Sequence, residues 1–138
     1  RISTPPDEPA LRAGARVLVV DDEPAIRELL EVALALRGAE VVVAPTLAAA
    51  RTALGDPRGF DVLLVDESLG GRESGASLVF EVEHSMPRMA PVLMTGAPSV
   101  EHLPPQACRW LLRKPFALGE AVRLIARAQA AHSGDGER

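Results

Sequence analysis

The stretch RVLVVDDEP, Arg16 to Pro24, decides how this chain folds. Val17 to Val20 is an uninterrupted apolar run, the pattern of a strand buried on both faces in a parallel sheet. Asp21 and Asp22 follow at once. They fall just past the strand's carboxyl end, where open α/β sheets bind their ligands. Taken alone, the pair also has a plain structural reading. Asp caps helices, acids suit a first helical turn, and proline is tolerated there.

Working outward, the same pattern recurs. Residues 23–37 place Ile26, Leu29, Leu30, Ala33 and Leu34 on one helical face, and Gly38 ends the helix. A second strand is expected at Glu40 to Ala44, then a helix over Leu47 to Leu54 capped by Thr46. The third strand, Asp61 to Val65, again ends in an acid, Asp66. The loop Leu69 to Gly75 leads to a helix over Ala76 to His84. The fourth strand, Pro91 to Met94, is followed by Thr95 and Gly96. Residues 97–106 hold Pro98, Pro104 and Pro105, so at most a short helix fits. The fifth strand, Arg109 to Arg113, runs into Lys114 and Pro115. A last helix, Leu118 to Ala131, is expected to bury Val122, Leu124 and Ile125.

Alternating strands and helices of this kind need right-handed crossovers and give a doubly wound α/β sandwich. The expected sheet is five-stranded and parallel, in the flavodoxin-like order 2-1-3-4-5 with a shortened fourth helix. That order sets the first and third strands side by side and brings Asp21, Asp22 and Asp66 to one edge.

Composition narrows the function. With 138 residues, 47% of them hydrophobic, the chain suits one domain with a real core. Residues 1–14, with Pro5, Pro6 and Pro9, read as a linker or tail, residues 15–132 as the domain, and 133–138 as a polar tail. A net charge of −4 argues against direct nucleic-acid binding. No apolar stretch approaches the roughly 20 residues of a membrane span, so no membrane contact by this domain is expected. The lone Cys108 cannot form an internal disulfide, which fits a cytoplasmic location. A start at Arg1 rather than Met is compatible with excision from a longer protein.

Four strand ends carry polar groups: Asp21 and Asp22, Asp66, Thr95, and Lys114. Clustered carboxylates repel one another, and a hard divalent cation such as Mg²⁺, or Mn²⁺, relieves that repulsion. A carboxylate beside such a metal can attack a phosphoryl group and form an acyl phosphate. An ammonium, a hydroxyl and backbone N–H groups suit the charge on the transferring oxygens. Asp66 is the candidate nucleophile, with Lys114 as the ammonium and Thr95 as the hydroxyl.

Together, VLVVDDEP, DVLLVDESL, VLMTG and LLRKPF resemble the receiver domain of two-component response regulators, over about Arg16 to Ala131. The resemblance implies phosphorylation of Asp66 by the phosphohistidine of a histidine kinase or histidine phosphotransfer domain. It implies Mg²⁺ held by Asp22, Asp66 and the Ser68 carbonyl, with Asp21 acting mainly through water. Thr95, Lys114 and the amides of Ser68 and Gly96 would contact the phosphoryl group, and Lys114–Pro115 would be cis. Such a module catalyses only its own phosphorylation and dephosphorylation and is not an enzyme with an external product.

Three features depart from the family's common pattern. The Asp66 to Gly75 spacing is one residue longer, and its GGRESG segment resembles receivers fused to hybrid sensor histidine kinases. Leu111 stands where an aromatic switch residue is usual. The Thr95 to Lys114 segment is short, and Pro104–Pro105 break the fourth helix, which argues for a monomer. Two alternatives compete with this reading. A Mg²⁺-dependent aspartyl-phosphate phosphatase usually carries a second Asp where Ser68 stands. A degenerate interaction module would not need the intact acid, Thr and Lys set. His84, His102 and His132 lack ligand spacing and read as solvated. Arg72 and Glu73 read as loop residues available to a partner.

Overall fold

Successive side chains on a strand point to opposite faces, so apolar runs such as Val17 to Val20 must be covered on both sides. The computed structural model, which describes residues 10–136, shows how this is done. Five parallel strands form one sheet: β1 (Arg16–Val20), β2 (Glu40–Ala44), β3 (Val62–Asp66), β4 (Ala90–Thr95) and β5 (Leu111–Arg113). Their order is β2-β1-β3-β4-β5, as expected. The helices are α1 (Pro24–Ala35), α2 (Leu47–Leu54), α3 (Gly75–Ser85) and α4 (Leu118–Gly136).

The alternation divides the core into two layers. Val17, Val19, Val62, Leu64, Val92 and Met94 pack with Leu30 and Leu34 of α1 and Ile125 of α4. Leu18, Val20, Leu63, Val65 and Leu93 pack with Leu47 and Ala50 of α2 and Leu78 and Val82 of α3. At the amino end of the sheet Arg16 is almost buried. It bonds Glu40 and Asp56, donates to the Gly59 carbonyl, and stacks 4.4 Å from the Phe60 ring centre.

Register sets the site. Val20 pairs with Val65, and Asp66 pairs with Met94, while Thr95 pairs with Arg113. Asp66 is therefore the last residue of its strand, and β3 begins one residue later than expected. Asp61 instead turns its carboxylate back to the Arg16 amide and the Arg12 guanidinium.

Other boundaries moved for identifiable reasons. The β4–β5 connection holds only a four-residue 3₁₀ turn, Pro105–Cys108, and Arg109 keeps helical angles after it. A strand cannot begin there, so β5 starts at Leu111 rather than Arg109. α4 runs past the expected end at Ala131 to Gly136, through part of the expected polar tail. Residues 1–9 of the expected linker and residues 137–138 lie outside the described residues. On α1, Leu30, Ala33 and Leu34 are buried, but Leu29 is 44% exposed and joins Val32 and Leu36 on the outer surface.

Gly75 is the tightest backbone approach near the site. A Cβ there would lie 2.1 Å from the Asp66 carbonyl oxygen, and its amide donates to the Glu67 carbonyl at 2.9 Å. Gly75→Ala should therefore cost about 3 kcal/mol or more of stability. Gly71→Ala, with nothing within 4 Å of its Cβ position, should be close to neutral. Urea denaturation of the two variants separates these outcomes, and equal stabilities would contradict the packing described.

Candidate functional site

The strand ends bring the acids and the lysine together. Asp21 is fully buried, Asp66 nearly so, and Asp22 is exposed. Their carboxylates offer three oxygens that lie within 4.8 Å of one another. Asp21 Oδ1 accepts from the Glu23 amide at 2.9 Å, and Oδ2 accepts from Lys114 Nζ at 2.7 Å. The same Nζ lies 3.3 Å from Asp66 Oδ1 and 3.7 Å from Glu23 Oε1. Lys114 enters from β5 through the sheet ladder, its amide donating to the Thr95 carbonyl. The Lys114–Pro115 bond is cis.

One ammonium does not balance two buried carboxylates. Burial, and after it the charge of Asp21, push the Asp66 carboxyl up to about 6, against the opposing pull of Lys114. Burial alone would lower Lys114, yet its bond to Asp21 and the charges of Asp66 and Asp21 leave it raised. The residual negative charge, on hard oxygen donors at an open strand edge, suits a divalent cation. Asp21, Asp22 and Asp66 fit one chemically.

Ser68 and Gly96 lie exposed on the loops that leave β3 and β4. The first of these loops carries a glycine at Gly70 with φ +74°, and its Cβ position is 3.7 Å from Asp22 Oδ2. Arg51 of α2 holds the loop from outside. It bonds Glu73 through two nitrogens at 3.0 and 2.9 Å and also bonds Glu81 of α3. Glu73 is thus engaged within the chain. Its hydrogen bond with Arg51 holds its carboxyl below the usual range.

Two residues were missed by sequence reasoning. Thr95, buried at the end of β4, does not face open space. Its hydroxyl donates to Glu67 Oε1 at 2.6 Å and accepts from the Ala97 amide at 3.0 Å. The other Glu67 oxygen bonds His102 Nε2. Thirty-five positions separate that pair, so no local spacing announces it. Of the other histidines, His132 is buried against the Pro87 carbonyl, and His84 lies beside the Phe80 ring. His132 therefore departs from the solvated expectation.

The raised Asp66 pKa carries a stability cost with a definite sign. Its folded value of about 6 lies above the ordinary 3.8, so the folded state favours the protonated form. The cost is absent below the unfolded value and complete once pH has risen through the folded one. Without divalent cation at about pH 7.5, Asp66→Asn should be more stable than wild type by about 1–2 kcal/mol. The gap should close as the pH falls from about 6.5 to 4. Denaturant melts of both proteins across that range check it, and a gap independent of pH would contradict it.

Comparison with known proteins agrees with this geometry. The response regulator receiver domain family matches residues 17–126. No curated protein matches the chain in sequence. The chain is similar to a CheY-like response regulator receiver domain protein from Methanospirillum hungatei JF-1, at 22% identity and TM-score 0.77, over 89% of this chain and 99% of that one. It is similar to the signal receiver domain of an HD domain-containing protein from Pseudomonas fluorescens Pf-5, at 21% identity and TM-score 0.81, over 94% and 96%. Those two likenesses concern the fold. The response regulator TrrA from Thermotoga maritima, solved in complex with Mg²⁺–BeF, is 26% identical with TM-score 0.73, over 83% of this chain and 98% of that one. A match that runs from the first strand into the last helix, over a sheet of this order, makes the chain a member of the response regulator receiver domain family.

Proposed function

We propose that Asp66 is the phosphoacceptor of this receiver domain. One observation carries the reading: a nearly buried carboxylate with a raised pKa stands 3.3 Å from the Lys114 ammonium, within a triad of acids suited to a cation. The donor is the phosphohistidine of a histidine kinase or histidine phosphotransfer partner. An Asp66 oxygen forms the new bond to phosphorus as the phosphorus–nitrogen bond breaks, and the leaving imidazole takes a proton. Asp21, Asp22, Asp66 and the Ser68 carbonyl are the groups that would hold Mg²⁺ or Mn²⁺. Bound there, the cation would neutralise charge on the phosphoryl oxygens.

The remaining roles belong to the chain. Lys114 supplies positive charge at the phosphoryl group, and Asp21 holds it in place through the 2.7 Å bond. The amides of Ser68 and Gly96 and the hydroxyl of Thr95 are the neutral donors. The GGRESG loop, clamped by Arg51, forms the wall beside Asp22, and its length supports a place among receivers attached to hybrid sensor histidine kinases. No helix among the described residues is long and apolar enough to cross a membrane.

Acetyl phosphate with Mg²⁺ should add one phosphoryl group to the wild-type chain by intact mass, and Asp66→Asn should take up none. Phosphorylation of the Asn variant would refute the assignment. Independently, Mg²⁺ should raise the melting temperature of wild type, because it binds the folded state alone. Asp22→Ala should lose most of that rise. Equal shifts in both proteins would place the cation elsewhere.

A further inference from the structure

Thr95 has one hydroxyl proton, and that proton is already committed. It goes to a Glu67 oxygen at 2.6 Å, while the hydroxyl oxygen accepts from the Ala97 amide. A hydrogen bond to a carboxylate is stronger than one between neutral groups. For Thr95 to donate to a phosphoryl oxygen, this bond must first break. Glu67 is in turn fixed from its other side. A carboxylate only accepts, so His102 Nε2 must carry the proton of that contact. His102 lies next to Leu103, which packs on the core layer beneath α3, so the contact ties the β4–β5 segment to the end of β3. The charged neighbours of this segment, Glu101 and Arg113, are engaged elsewhere, with Ser99 and the Ala97 carbonyl.

We propose that Glu67 is a positioning residue that holds the Thr95 hydroxyl away from Asp66 in the unphosphorylated domain, and that His102 braces Glu67 in that position. A phosphoryl group at Asp66 then competes with Glu67 for one proton. When it wins, Glu67 loses a partner and the His102 contact loosens, so the change is passed to residues 97–104. The route needs no aromatic side chain at Leu111. It rests on the reading of Asp66 as phosphoacceptor.

The test is a titration of the full chain with beryllofluoride, a phosphoryl mimic, in Mg²⁺, followed by amide chemical shifts. Glu67→Ala should bind about three- to tenfold more tightly than wild type, because the competing acceptor is gone. Glu67→Gln, which keeps an acceptor without its charge, should fall between. His102→Ala, a change at an exposed side chain, should shift affinity in the same direction by less. In a Thr95→Ala background, Glu67→Ala should produce no gain. An equal gain with and without Thr95 would show a general charge effect and overturn the proposal. So would unchanged affinity in both Glu67→Ala and His102→Ala while wild type binds normally. If wild type binds no beryllofluoride, the phosphoacceptor reading fails and takes this inference with it.

Discussion

The domain is organised around a charge imbalance. Asp21 is fully buried and Asp66 nearly so, yet a single ammonium, Lys114, serves both. Burying charge is costly unless it is paired and hydrogen-bonded. The fold meets the cost part-way. Asp21 gains an amide donor and the lysine, while Asp66 is left short and its pKa rises. Complete compensation would give a quieter, more stable protein with nothing left for a cation to do. The sheet order makes the arrangement possible, since only neighbouring β1 and β3 can set these two acids side by side.

The surroundings keep that imbalance in a fixed shape. Gly75 lets the start of α3 press against the Asp66 carbonyl, and no side chain larger than hydrogen fits. Gly70 bends the loop near Asp22, and Arg51 clamps the same loop from outside through Glu73 and Glu81. Thr46 caps α2 through the Ala49 amide and so fixes the helix that carries Arg51. The loop is thus held by charges on two helices rather than by apolar packing alone.

Much of this was legible in the sequence because it is written in local patterns. Apolar runs ending in Asp21, Asp66, Thr95 and Lys114 marked the strands, and their alternation with helices the sheet order, which brings Asp21, Asp22, Asp66 and Lys114 together. What escaped depends on tertiary placement. Glu67 follows a strand with no local spacing that marks it, and His102, read as solvated, is exposed yet bonds Glu67. Only the fold brings Glu67 to Thr95 and His102 to Glu67. The start of β5 was misplaced because Arg109 and Trp110 suit a strand by type, whereas the 3₁₀ turn before them decides the backbone. Leu29 fits the buried face of α1 by spacing, yet it lies 44% exposed with Val32 and Leu36 in an open groove that Leu118 and Val122 of α4 also line.

The sheet's two edges are unequal, and that has a bearing on how the chain behaves when partly unfolded. β5 is three residues long, with Arg109 two residues before it and Pro115 two residues after its end, so it offers few free backbone groups to another chain. β2 is five residues long and carries three consecutive valines that are only half-buried. Its protection is electrostatic and sits at one end, where Glu40 meets Arg16 and Arg58. High salt would weaken that guard without touching the core. In refolding from denaturant, strand-to-strand association between copies would begin at β2, and would be favoured by ionic strength rather than opposed by it.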